Sequence, residues 1–297
     1  MIKITNYLLL AVVLLGTACK SDRKDVKIDS QKPLTLQTYF APEASFGVSS
    51  TLIEGEKNLI LVDAQFTLAD ADSVIARIQA TGKNLQSIYI SYNDPDFYFG
   101  LSRIREHFPN VPIYANATVR KAIQDTYQAK LAQWGPILGT AISDTVIIPD
   151  LLPATPLTLE GQAIEIRSLP NAEANSYVYI PSLKTVLGGI NIFGSSFHVW
   201  LADARLNASK DQWIAVLDAI SALSPSVVIP AHGDKDSALD LRSVTHTRDY
   251  IEFFRKTATE YSKSVDLIAA INAQYPTLKF GQALTFAAQV HTGELEW

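Results

Sequence analysis

The stretch that most constrains this chain is residues 91–100, reading SYNDPDFYFG. It follows a β-rich run, Ser87-Ile88-Tyr89-Ile90, and leads into helical spacing over residues 101–108. A loop at the carboxyl end of a strand is where α/β sheets build their sites. Asp94 and Asp96 stand two apart on this loop. Such a pair can share a proton, with one pKa raised, or offer oxygen ligands to a hard divalent cation. A plainer reading makes Asp96 a cap of the following helix and leaves Asp94 solvated.

The N-terminus bears on the compartment. Met1-Ile2-Lys3 precedes an apolar run over residues 7–16, too short for a transmembrane span. The run ends in Leu15-Gly16-Thr17-Ala18-Cys19, which resembles a bacterial lipobox, although Gly16 stands where a larger aliphatic is usual. Residues 1–18 are therefore expected to be a lipoprotein signal peptide, with Cys19, the only cysteine, carrying the lipid. An ordinary secretory leader is the alternative. Residues 19–33 are polar and charged and read as a tether. The expectation is a protein of the bacterial envelope, held to a membrane through Cys19 on its periplasmic or outer face. With no second cysteine there is no disulfide framework.

Residues 34–297 are expected to form one domain, since a chain of 297 residues that is 47% hydrophobic can bury a large core. The net charge of -5 provides no basic surface, so nucleic acid is not an expected partner. No phosphate-cradling loop, serine elbow or dinucleotide fingerprint is present. Strand signals fall at 36–40, 48–53 and 59–62, followed by a helix over 68–80 that buries Leu68, Ala71, Val74, Ile75 and Ile78. A strand at 111–115 leads to a helix capped by Asn116 and running to Lys130, with Trp134-Gly135-Pro136 in a loop beyond it. Further strands are expected at 145–148, 157–159, 163–167, 176–180 and 185–187. Then come a helix at 210–223, a strand at 226–230, and a helical tail from about 235, clearest over 247–262 and 265–274.

The central loop resembles that of the metallo-β-lactamase superfamily, whose pattern there is His-x-His-x-Asp-His. In the subgroup that this chain looks most like, it reads Thr-His-x-His-Pro-Asp-His-Tyr-Phe-Gly. Pro95, Asp96, Tyr98, Phe99 and Gly100 match, while Tyr92, Asp94 and Phe97 occupy the histidine positions. The likeness extends to Asp63-Ala64-Gln65 and to Pro230-Ala231-His232-Gly233, and it covers most of the chain. It implies an αββα sandwich, an α/β fold of two mixed sheets face to face with helices outside. The two strand-then-helix halves of the sequence suit that fold.

The resemblance also implies which ligands are missing. A histidine belongs before the strand at 176–180, where Asn171-Ala172-Glu173-Ala174-Asn175 has none, and a bridging aspartate belongs at Gly189 or Ile190. Asp96 and His232 remain, too few for tight zinc binding. Asp63, behind the metal in relatives, is expected to brace the loop. His232 reads equally as a ligand and as a structural histidine at a strand end. His198, in a segment similar to one near the subgroup's pocket, is a candidate for ligand contact. His107, His246 and His291 read as surface or core residues, and Trp134 has a weak claim to a lid.

The expectation is a zinc-site-degraded envelope lipoprotein with no cofactor, no zinc hydrolysis and a binding or structural role. Its pocket would hold an unknown small molecule, favoured as apolar or aromatic, among Tyr92, Asp94, Asp96, Phe97, Glu173, His198 and His232. The alternative is a hydrolase with a remodelled mononuclear site of Asp94, Asp96 and His232, with Glu173 as a possible fourth ligand, holding one zinc or harder cation weakly. A scaffold for a protein partner is the third reading.

Overall fold

The computed structural model describes residues 32–296, so the signal peptide, Cys19 and nearly all of the tether lie outside the described residues. β1 (Thr35–Phe40), β2 (Ser49–Glu54) and β3 (Asn58–Val62) form an antiparallel meander. It continues in parallel into β4 (Asn84–Tyr89), β5 (Ile113–Ala115) and β6 (Asp150–Leu151). A short hairpin, β7 (Thr158–Leu159) with β8 (Gln162–Ala163), precedes the second sheet. That sheet holds β9 (Glu165–Arg167), β10 (Tyr177–Ile180), β11 (Thr185–Leu187) and β12 (Val227–Val228), in the order β12-β11-β10-β9.

The side-chain alternation of β3 shows why the sheets face each other. Ile60 and Val62 join Tyr89 of β4 and Val178, Ile180 and Leu187 of the second sheet in one apolar layer. Leu59 and Leu61 point the other way, into the larger core that the helices cover. Helices α1 (Leu68–Thr81), α2 (Pro95–Tyr98), α3 (Leu101–His107), α4 (Ala117–Leu138), α5 (Asn207–Ala222), α6 (Leu241–Thr257), α7 (Ser264–Gln274) and α8 (Gly281–Thr292) complete the αββα sandwich. No helix among the described residues is long and apolar enough to cross a membrane.

Local signals act where they were expected. Thr67 caps α1 by accepting from the Asp70 amide, Gly82 ends it at φ 65°, and Asn116 caps α4 by accepting from the Val119 amide at 2.8 Å. Four expectations are corrected. α4 does not stop at Lys130 but runs to Leu138 through Trp134-Gly135-Pro136, because Pro136 falls in the last turn and Trp134 gains a buried face there. Residues 145–148 make no ladder; the strand that pairs with β5 is β6. The run 163–167 is broken at Ile164, where the chain passes from the hairpin to the second sheet. α6 starts at Leu241 rather than 247, capped by Asp240, whose carboxylate accepts from the Arg242 amide.

Candidate functional site

Four segments leave the carboxyl ends of β3, β4, β11 and β12 and converge at one edge of the sandwich. They bring Asp63, the 91–100 loop, Gly188-Gly189-Ile190 and His232 to one place. Asp63 is buried at φ 64°. Its Oδ1 accepts from the Ser91 amide at 2.7 Å and its Oδ2 from the Ser91 hydroxyl at 2.5 Å. Burial pushes its carboxyl up to about 7, opposed by the two Ser91 donors. Ser91 Oγ accepts in turn from the Gly189 amide at 2.7 Å. Asp63 thus braces the central loop, and Ser91 ties that loop to the second sheet.

Asp96 and His232 face each other at the centre, 3.7 Å apart between Oδ2 and Nε2. His232 Nδ1 lies 3.0 Å from the Phe46 carbonyl; that acceptor places the ring hydrogen on Nδ1 and leaves a bare lone pair on Nε2. Asp96 is 3% exposed, and its Oδ2 has no hydrogen-bond partner. The separation would suit an ion pair, yet burial works against charge on both partners. It raises the Asp96 carboxyl well above the usual carboxylate range, with Asp94 adding to the effect, and lowers His232 to about 4. Burial thus favours the uncharged form of each partner.

Two plainer readings of the loop are corrected here. Asp96 caps nothing through its side chain, lying inside the single turn of α2. Asp94 is not merely solvated: it accepts from Lys130 Nζ at 2.9 Å, and the same ammonium donates to the Asn93 carbonyl.

Phe97 stands where a histidine ligand is expected and is fully buried. Its ring packs edge-on against His232 at 5.6 Å and against Tyr92 at 5.5 Å between centroids. Neither Tyr92 nor Phe97 lines the cavity described below; Phe97 is fully buried behind His232, while Tyr92 is partly exposed. Gly189 has φ 70°, and a Cβ there would lie 2.0 Å from the Ser176 carbonyl oxygen, so no side chain can stand at this position.

A cavity of about 580 Å³ opens above the pair, lined by Asp94, Asp96, Trp134, Ile190 and His232 among the residues singled out in the sequence. Glu173 is exposed and outside it, its carboxylate accepting from the Asn171 amide. His198 is outside it as well, buried with Nδ1 3.0 Å from the Tyr250 hydroxyl. Trp134 is a wall rather than a lid, 7% exposed and edge-on to Phe46 and Phe66 at 5.4 Å each.

The remaining walls escaped the sequence. Phe46, Trp200, Phe280 and Phe286 come from three distant segments, and Trp200 stacks on Phe286 at 5.3 Å and on Phe280 at 6.2 Å. Lys130, Asp203 and Glu296 add charge at the cavity. Phe46 and Phe280 both sit in the left-handed region, at φ 63° and 64°, which no sequence pattern announces for phenylalanine.

The residues present do not fit zinc. A catalytic zinc needs three protein donors and an open position. Here there are two, Asp96 Oδ2 and His232 Nε2, with Asp94 held by Lys130. Among the described residues no three His, Cys, Asp or Glu side chains come together to hold a metal ion.

No family model and no curated protein matches the chain. Solved structures do. The chain is similar to a metallo-β-lactamase from Pontibacter korlensis, with 14% identity and a TM-score of 0.51, over 74% of this chain and 95% of that one. It is similar also to the DIM-1 metallo-β-lactamase, with 18% identity and a TM-score of 0.52 over 75% and 94% of the two chains. The same enzyme exposed to ceftazidime gives 18% identity and a TM-score of 0.51, over 76% and 99%. At these identities the likeness is one of architecture: the chain has the metallo-β-lactamase fold.

Proposed function

We propose that this chain is a binding protein built on a hydrolase-type fold, one that holds a small molecule with an apolar or aromatic body where relatives of that fold hold metal. The observation that carries this reading is the state of the centre. Phe97 packs edge-on against His232, and of the two expected bridging positions Gly189 bars a side chain and Ile190 carries an apolar one. Five aromatic rings, those of Phe46, Trp134, Trp200, Phe280 and Phe286, line a cavity large enough for a small ligand. A fold by itself carries no chemistry, and the donor set left here supplies no metal-bound water. The proposal includes attachment to the bacterial envelope through Cys19, on the strength of the lipobox-like sequence alone.

The test is metal content by elemental mass spectrometry on the full chain purified without chelator, alongside His232→Ala. The expected result is no stoichiometric metal in either protein. A stoichiometric metal in the wild type that disappears in the variant would overturn the reading in favour of a mononuclear hydrolase centred on Asp96 and His232.

A further inference from the structure

The cavity has a mouth, and part of its rim is a piece of chain that belongs to no helix or strand. Among the lining residues, Ala129 and Gln133 of α4, Asp203 and Glu296 remain exposed, and exposed lining residues mark where a cavity meets solvent. Leu295, next to Glu296 in the chain, lines the cavity too and is half-buried. The deeper walls at Phe46, Trp134 and Phe280 are buried in the core. Residues 295 and 296 instead lie beyond the last helix.

Local chemistry explains how they reach it. Gly293 ends α8 at φ 76°, where a side chain would be strained, and the amides of Glu294 and Leu295 both return to the Gln289 carbonyl, at 2.9 and 3.1 Å. The chain is thereby turned out of the helix direction. Glu294 then reaches α7, whose N-cap residue, Lys263, offers no side-chain acceptor. Its carboxylate accepts from the Ser264 amide at 2.7 Å and from the Ser264 hydroxyl at 2.5 Å. It thus satisfies an amide that a helix start leaves open, at the end where the dipole favours negative charge. Glu294 is itself exposed, so water competes for these bonds and they open more readily than bonds inside the core. The hold is specific in its partners and weak, which is what a latch requires.

We propose that residues 293–296 are a strap at the cavity mouth, latched by Glu294 to Ser264, and that a ligand enters and leaves when the latch opens. This rests on the reading of the cavity as a ligand pocket and adds how the pocket is gated. Latched, the strap sets the Leu295 side chain against the cavity and Glu296 at its rim. Released, it withdraws both while α8 and the deeper aromatic walls stay in place.

The test follows N-phenyl-1-naphthylamine, a neutral aromatic probe that brightens in apolar surroundings, binding to the full chain in stopped-flow fluorescence. In Glu294→Ala the association and dissociation rate constants should both rise about fivefold to tenfold, with the Kd changed by less than about twofold, because a gate is passed in both directions. Asp240→Ala, which removes the cap of α6 away from the cavity, should leave both constants at their wild-type values. Faster dissociation with unchanged association would overturn the strap, making 293–296 an ordinary wall that touches the probe, and would leave the pocket standing. No change in either constant would overturn it in the same way. If the probe binds neither wild type nor Glu294→Ala, the pocket reading itself fails and the strap with it.

Discussion

Asp96 Oδ2 and His232 Nε2 stand 3.7 Å apart, and burial pushes each residue toward its neutral form. A carboxylate in that position lowers stability wherever it must ionise. Its folded pKa lies above its unfolded one, so the folded state binds the extra proton. Stability from this group is therefore fullest at low pH and is lost as pH rises from the unfolded value toward the folded one. Asp96→Asn removes that loss and gives the His232 lone pair a neutral donor. We expect the variant to be more stable than wild type at pH 7 by about 1–3 kcal/mol, a gain that shrinks toward pH 4. Urea denaturation of both proteins at the two pH values reads it; a variant that is less stable at pH 7 would contradict a raised Asp96 carboxyl.

Phe97 is packed between Tyr92 and His232 with no exposure. Phe97→Ala removes a ring that nothing nearby can replace, and the expected loss is about 3–5 kcal/mol in denaturant unfolding. A loss below about 1 kcal/mol would mean that the space around the Phe97 ring collapses freely, against the packing described here.

Ser91 donates to Asp63 through both its amide and its hydroxyl, and its oxygen accepts from Gly189. Ser91→Ala strands one carboxylate oxygen and one buried amide together. The expected cost is about 2–4 kcal/mol, with Ser91→Thr recovering part of it if the extra methyl is accommodated. Thermal unfolding of the three proteins decides the matter, and an alanine variant as stable as wild type would break the link drawn between the two sheets.

Lys210 is 1% exposed, its ammonium donating to the Ala204 and Arg205 carbonyls and lying 2.9 Å from His291 Nε2. Burial lowers its pKa to about 8 from 10.5, with Arg255 adding to the effect. The unfolded chain therefore binds the extra proton between those values, and stability rises with pH across that window. We expect the stability of wild type relative to Lys210→Met to increase between pH 8 and 10.5, by at most about 3 kcal/mol. A flat difference would show that Lys210 stays protonated in the folded chain.

Much of the architecture is legible because its signals are local. The opening strands alternate, α1 carries its cap and its terminal glycine, and Asn116 announces α4. The second sheet is harder to read, since its strands are two to four residues long and Ile164 switches between sheets. Pro136 was misleading for a physical reason, because a proline in a last turn forfeits little when a buried Trp134 holds that turn in place. Of the site, the loop motif yields Asp94, Asp96 and His232 but misplaces the aromatics. Tyr92 and Phe97 do not line the cavity, and its walls come from Phe46, Trp200, Phe280 and Phe286, which are joined only by tertiary folding. Glu173 illustrates the opposite error: close to the site in the motif order, it turns outward to its own backbone.

Gly189 bears on the history of such a chain. Histidines could be introduced at positions 92, 94 and 97 one codon at a time, but a carboxylate side chain at 189 meets the Ser176 carbonyl at its Cβ. The main chains at Ser176 and Gly189 would have to part first. At 189 a bridging carboxylate is therefore blocked by the main chain, whereas the alternative position is taken by the Ile190 side chain at the cavity.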